Sequence, residues 1–315
     1  MASLMIEVAN LTKRYGGRNG VSALDDVTFL VNDGEIVGFV GLNGAGKTTT
    51  IRIASGVALP SSGKVTIDGH DIVRHKREAS ESVGWVPEFP NYEQNSRAKS
   101  LLLYFAGFHQ IESGVAERRA SELFQKLELS GHERKKLAAY SQGMKKRFSL
   151  ALALLPDPKN LLFDEVLNGL DPQGIQFIRS LLMDLRKKGK SVLLSSHILS
   201  EIEAMSDRIV FINRGKIIKI VTKDELAAIE RSKSVLRMVV PNLSDVGLGY
   251  LRTLGSVSIE SGSVTLSGFE GDPSAVSAEL VRRGFLLREF SSEKSSLEEY
   301  FLRLIAESNA SQEAA

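Results

Sequence analysis

The stretch Gly41-Leu42-Asn43-Gly44-Ala45-Gly46-Lys47-Thr48 fits the pattern G-x-x-x-x-G-K-[ST], and it follows a short apolar run, Glu35–Val40. An apolar strand, a glycine-rich turn and a helix starting at Lys47 together form a phosphate cradle. Glycines let backbone N–H groups turn inward around phosphate oxygens. The helix N-terminus adds partial positive charge. Lys47 supplies a cation for terminal phosphates and Thr48 a hydroxyl for Mg²⁺. Thr49 follows at the same helix start and joins the residues expected to hold the nucleotide. A dinucleotide loop needs G-x-G-x-x-G; the spacing here is G-x-x-G-x-G followed by Lys, so that reading is rejected.

Two further signals belong with a nucleoside triphosphate. Leu161-Leu162-Phe163-Asp164-Glu165 is an apolar strand that ends in two acids. Such a strand delivers Asp164 to the carboxyl edge of a sheet, where it can hold Mg²⁺ directly or through water. Glu165, one residue on, can polarise a water for in-line attack on a γ-phosphate. A strand can also simply end in a solvated acid, so the pair gains meaning only beside the phosphate loop. His197 follows another strand, Ser191–Ser196, where an imidazole can reach the γ-phosphate, although a lone strand-end His is more often a surface or satisfied residue.

Strands at Ile6–Val8, Ala23–Val31, Val65–Ile67 and Val83–Val86 make the start β-rich. Helical spacing follows from Ser96 to Leu155, and strands and helices alternate again to Ile212, as in a parallel sheet covered on both faces. After Ile220 the expected order is β-α-β-β-α-β: strands at Val235–Val240, Ser256–Ile259, Val264–Ser267 and Phe285–Phe290, helices at Ser244–Thr253 and Pro273–Arg283. That order is the ferredoxin-like arrangement. A last helix is expected over Leu297–Ile305, opened by a capping box of Ser296 and Glu299, with a polar, frayed tail from Ser308. The boundaries are therefore 1–220 (helical subdomain about 89–155), 221–307 and 308–315.

Composition excludes several classes. The 315 residues carry 40 Lys and Arg against 38 Asp and Glu, a net charge of +2, which argues against a nucleic-acid-coating protein. There is no cysteine, hence no disulfide scaffold, thiolate metal site or cysteine nucleophile. Met1–Leu11 lacks a basic stretch followed by an apolar one, so no signal peptide is expected. The longest apolar stretch, Phe148–Leu155, is far shorter than the about 20 residues of a membrane helix. A role in transport needs a separate membrane partner.

Tyr140-Ser141-Gln142-Gly143-Met144, followed by Lys145-Lys146-Arg147, makes the reading specific. It is similar to the Leu-Ser-Gly-Gly-Gln signature of ABC transporter ATPases, and closer to the Tyr-Ser-x-Gly-Met form of multidrug and antibiotic export members. The chain resembles that family from about Ile6 to Lys219. The resemblance implies an α/β P-loop NTPase (RecA-like) core with a β-rich N-terminal part and a helical subdomain, ATP and Mg²⁺ as cofactors, and an accessory α+β domain after the cassette. It implies that Ser141 and the Gly143 backbone bind the γ-phosphate held by a second subunit, with two ATPs sandwiched head to tail. Tyr15 resembles the aromatic that stacks on adenine. Asn168-Gly169-Leu170-Asp171-Pro172 looks like the loop that carries Asp171 to the subunit interface. His197 matches the family's switch histidine. Gln142 and Met144 depart from the signature, but neither carries the implied contacts.

Glu88, in Val83-Gly84-Trp85-Val86-Pro87-Glu88, stands where the family usually has Gln. A carboxylate there can still accept from water or coordinate Mg²⁺, at the cost of negative charge near phosphates. The implied protein is the ATP-hydrolysing subunit of an exporter, a homodimer or a heterodimer with another ABC ATPase subunit, on the cytoplasmic face of the membrane beside integral permease subunits, with no nucleic-acid partner. Two other readings stay open: a soluble ABC ATPase acting as a mechanical clamp, and a regulatory module. The basic clusters Arg74–Arg77 and His132–Lys136 read as solvated faces.

Overall fold

The computed structural model describes residues 4–16, 20–226, 234–260, 262–269, 271–293 and 297–313. The chain divides into two units, Met1–Ile220 and Val221–Ala315.

In the first unit the elements run β1 (Leu4–Tyr15), β2 (Val21–Asn32), β3 (Ile36–Val40), α1 (Lys47–Ala54), β4 (Ser62–Ile67), β5 (His70–Asp71), α2 (Lys76–Glu81), β6 (Val83–Val86), α3 (Ala98–Phe108), α4 (Ser113–Lys126), α5 (Gln142–Leu154), β7 (Asn160–Asp164), α6 (Pro172–Lys187), β8 (Ser191–Ser196), α7 (Leu199–Met205), β9 (Arg208–Asn213) and β10 (Lys216–Thr222). Two sheets result. An antiparallel one has the order β2-β1-β4-β5; a second has the order β10-β9-β3-β8-β7-β6. In the latter, β3 pairs in parallel with β8 and β9, and β7 with β6 and β8. Strands β3, β7 and β8 are buried along their whole length, as expected of a parallel sheet covered on both faces.

The core lies between the two sheets. Ile6, Val8, Val27, Phe29 and Val31 of the antiparallel sheet join Val37, Phe39, Leu162, Leu193 and Val210 of the parallel one, with Ile51, Ile53 and Ala54 of α1. Phe29 and Phe39 stack with ring centroids 5.2 Å apart. This packing fixes β3 and α1, and with them the turn between them. The parallel register brings the carboxyl ends of β3, β7 and β8 to one edge, where ligands bind in open α/β sheets.

The second unit runs β11 (Ser234–Val239), α8 (Asp245–Leu254), β12 (Ser256–Glu260), β13 (Ser263–Phe269), α9 (Pro273–Arg282), β14 (Glu289–Glu293) and α10 (Leu297–Glu313). Its sheet has the order β12-β13-β11-β14 with every pairing antiparallel. Leu236, Met238, Leu251, Leu266, Val276 and Leu280 form its core.

The structure departs from the sequence reading at several elements. The last strand is Glu289–Glu293, not Phe285–Phe290. Phe285 instead closes α9. Its N–H donates to the Leu280 carbonyl (3.0 Å) and that of Gly284 to Val281 (2.9 Å), with Gly284 at φ 86°. An apolar residue after a left-handed glycine is a helix cap here. Helix α10 continues to Glu313, where the reading ended it at Ile305 and expected a frayed tail. Strands β5 and β10 and helix α2 had no expectation. The Ser296 cap and residues 314–315 lie outside the described residues.

Candidate functional site

The phosphate loop joins β3 to α1. Gly41 is enclosed: a Cβ there would meet the Ile212 carbonyl oxygen at 2.5 Å. Gly46 has φ 115°, and a Cβ would come within 2.7 Å of Leu24 Cδ2 and 2.8 Å of the Ala23 carbonyl. Leu42, Asn43 and Gly44 are exposed, Ala45 is buried, and Thr48 and Thr49 are half-buried at the first turn of α1. The loop closes on itself through the Ala45 N–H to the Leu42 carbonyl (3.0 Å). The first N–H groups of α1 have no partner within the helix and remain for an anion.

Lys47 is buried and bends back over this loop. Its Nζ donates to the Gly41 carbonyl at 2.7 Å and stands 3.2 Å from Glu165 Oε1. The other Glu165 oxygen lies 3.1 Å from His197 Nδ1. Thr48 Oγ1 donates to Asp164 Oδ1 at 3.2 Å, and Ser195 Oγ donates to the same oxygen at 2.8 Å. Lys47, Thr48, Asp164, Glu165 and His197, separated by up to 150 positions in the chain, therefore form one connected network at the strand ends.

Glu165 is held in a left-handed conformation, φ 50°. Its N–H donates to Ser195 Oγ at 3.0 Å and to the Ser195 carbonyl at 3.2 Å. A non-glycine residue in this region is strained by about 1–3 kcal/mol and persists where its surroundings enforce it. Burial raises the Asp164 pKa; hydrogen bonds from Ser195 and Thr48 oppose this, and the Glu165 charge adds to it. Glu88 is also pushed up, first by burial and then by the charges of Asp164 and Glu165.

Tyr15, Arg52, Trp85, Glu88, Phe89 and Asp164 line one cavity of about 740 Å³, which meets the network at Asp164. Tyr15 is exposed, with Lys13 Nζ 4.8 Å from its ring centroid. The donors at this edge suit Mg²⁺, which is held by one or two carboxylates together with phosphates and water rather than by an all-protein cage. Asp164 Oδ1 and Thr48 Oγ1 already converge, and Glu88 shares the cavity. Among the described residues there is no group of three or more His, Cys, Asp or Glu placed to hold a metal by itself.

Ser141, Gly143 and Asp171 do not join the network. Ser141 caps α5, accepting from the Met144 N–H at 3.2 Å, and a Cβ on Gly143 would meet nothing within 4 Å. Asp171 caps α6, accepting from the Gly174 N–H at 2.8 Å. All three stand at helix starts, Ser141 and Asp171 exposed and Gly143 half-buried. Two contributors had no expectation: Ser195, one residue of a strand, and Lys146, which is half-buried against the turn after Glu165. Only long-range contacts reveal either.

A parallel sheet that gathers a phosphate loop, a buried lysine and two strand-end acids at one edge defines a P-loop nucleoside triphosphatase. The ABC transporter family model matches residues 24–168. An uncharacterised ABC transporter ATP-binding protein of Bacillus subtilis, YhcH, is 41% identical over 70% of this chain and 71% of that protein. The bacitracin transport ATP-binding protein BcrA of Bacillus licheniformis is 34% identical over 96% of this chain and 98% of that protein. Among solved structures, the dimeric ATP-binding cassette MJ0796 in a post-hydrolysis state bound to ADP and Pi has a TM-score of 0.65 and 25% identity, covering 70% of this chain and 99% of that one. The chain belongs to the ATP-binding subunits of ABC transporters, and the residues matched by the family model lie within its first unit. Among the described residues no helix is long and apolar enough to cross a membrane.

Proposed function

We propose that this chain drives an export-type ABC complex by ATP-dependent dimerisation on the cytoplasmic face of the membrane, beside integral permease subunits. The likeness to a bacitracin transport subunit across nearly the whole chain supports export. The likeness to a dimeric cassette supports pairing, with a second copy or another ABC ATPase subunit. The single observation that carries the catalytic reading is the Thr48–Asp164, Lys47–Glu165 and His197–Glu165 network beside the phosphate loop.

In this reading Tyr15 stacks on adenine, and residues 41–49 wrap the phosphates with their backbone N–H groups. Lys47 exchanges Glu165 for the γ-phosphate when ATP enters. Thr48 and Asp164, with Glu88, would hold Mg²⁺, which would supply positive charge against the phosphate oxygens. Glu165 accepts the proton of the attacking water, and His197 orients Glu165 and donates to the γ-phosphate. Ser141 and the Gly143 backbone of each subunit close the other subunit's site, and Asp171 lies at that interface. The first unit takes the RecA-like core, with a helical subdomain over about 89–155. The second unit is an accessory domain of ferredoxin-like arrangement; its β-α-β-β-α-β order and its strand order support this.

Hydrolysis by the full chain tests this assignment. Glu165→Gln should abolish turnover, about 100-fold or more, with ATP binding retained. A variant that hydrolyses at the wild-type rate contradicts the role given to Glu165.

A further inference from the structure

Helix α5 presents Lys145, Lys146 and Arg147 in succession, but successive residues point about 100° apart. Arg147 turns to Glu128 (2.6 Å) and lies over the Phe177 ring, 4.7 Å from its centroid. Lys146 turns toward the end of β7. Its ammonium donates to the backbone carbonyls of Glu165 (3.3 Å), Val166 (3.0 Å) and Asn168. An ammonium has three N–H donors, and here three carbonyls of one turn surround it. The turn in question holds Glu165 in its left-handed conformation and leads on to Asp171 at the start of α6.

We propose that Lys146 is a positioning residue: by clamping the 165–168 turn onto α5, it couples the docking of the signature helix to the aim of the Glu165 carboxylate. The Glu165 carbonyl belongs to the peptide plane that follows the Glu165 Cα. Releasing that plane lets the Cα–Cβ bond swing and takes the carboxylate off the line between Lys47 and His197. Five residues upstream, Ser141 starts the same helix. Movement of α5 is therefore transmitted to Glu165 through one side chain. Burial lowers the Lys146 pKa while Glu88 and Glu165 hold it up, so the ammonium also offsets negative charge that gathers at this edge.

This inference rests on the assignment of Glu165 as the base, and the experiment separates the two. The full chain is prepared as wild type, Lys146→Met, Lys146→Gln, Lys146→Arg and Glu165→Gln. Each is measured for Mg-ATP turnover, affinity for a fluorescent ATP analogue, melting temperature and amide exchange. Lys146→Met should lower kcat about tenfold or more while analogue affinity and melting temperature stay close to wild type. Amides 168 and 170, which bond to the Glu165 and Leu167 carbonyls, should exchange faster. Lys146→Arg, which keeps charge and donors, should hold kcat within about threefold. A Lys146→Met kcat within about twofold of wild type overturns the inference, as does unchanged exchange in the turn or a loss that only follows affinity or melting temperature. If Lys146→Met does not fold, Lys146→Gln is judged by the same outcomes; if neither folds, Lys146 is a structural prop and the inference fails. Wild-type turnover in Glu165→Gln removes the assignment beneath it; an inactive Glu165→Gln beside an active Lys146→Met removes the Lys146 inference alone.

Discussion

Lys47 Nζ and Glu165 Oε1 stand 3.2 Å apart with side chains 6% and 5% exposed, so the phosphate loop's cation is neutralised by the strand-end acid. A buried ion pair is costly to break by removing one partner, because the other charge is left behind. A γ-phosphate is an alternative partner for the same ammonium. In the proposed function, the Lys47–Glu165 contact therefore joins ATP binding and release of the base in a single exchange.

Lys47→Ala removes both halves of that exchange. Affinity for ATP should fall about 10- to 100-fold, as for loss of a hydrogen bond to a charged group. Titration with a fluorescent ATP analogue reads this directly, with melting temperature followed in parallel. Unchanged affinity contradicts the phosphate-loop assignment.

Two glycines in the loop should respond differently to alanine. At Gly46 a Cβ meets Leu24 and the Ala23 carbonyl under 3 Å at φ 115°, whereas at Gly44 (φ 78°) it meets nothing within 4 Å. Gly44→Ala should cost about 1–2 kcal/mol of left-handed strain. Gly46→Ala should cost more, because the clash adds to the strain. Urea unfolding of the two variants checks the ranking, and equal losses contradict it.

Ser141 has a local role and a proposed distant one. Ser141→Ala removes the cap of α5 and should cost about 1 kcal/mol. Ser141→Asp keeps a capping oxygen and should recover that stability, but its charge opposes a phosphate, so ATP turnover should stay low. Denaturant unfolding and hydrolysis rates on the same pair separate the roles. Turnover that follows stability in both variants contradicts the distant one.

In the second unit, hydrogen bonds from Arg282 and Arg283 hold the Glu279 carboxyl down to about 2 from its ordinary 4.5. A folded-state pKa below the unfolded one means that this contribution is complete above pH 4.5 and is lost as pH falls toward 2. Glu279 is half-buried, but its partner Arg282 is exposed, so salt should weaken the effect. An NMR titration of its carboxyl should give a midpoint near 2 at low salt; an ordinary midpoint contradicts the three-residue cluster.

What the sequence makes legible here is what lies close together along it. Gly41–Thr48 and Asp164-Glu165 are short patterns whose chemistry follows from their spacing, and the structure joins them. His197 needed the family resemblance, because a single imidazole at a strand end has many uses. Ser195 and Lys146 reach partners about 20 to 30 positions away, and no local pattern marks them. Phe285-Leu286-Leu287 looked like a strand because an apolar triplet has no period to tell a strand from a helix cap. The polar end of α10 looked frayed because propensity is weak in Ser and Asn.

The central claim is that a second copy or partner subunit completes the ATP site. Light scattering on the full-length Glu165→Gln variant with Mg-ATP tests it most directly. The mass should double with ATP, return to that of one chain without nucleotide, and fail to double when Lys47→Ala is added. A single-chain mass at saturating ATP contradicts completion of the site by a second copy.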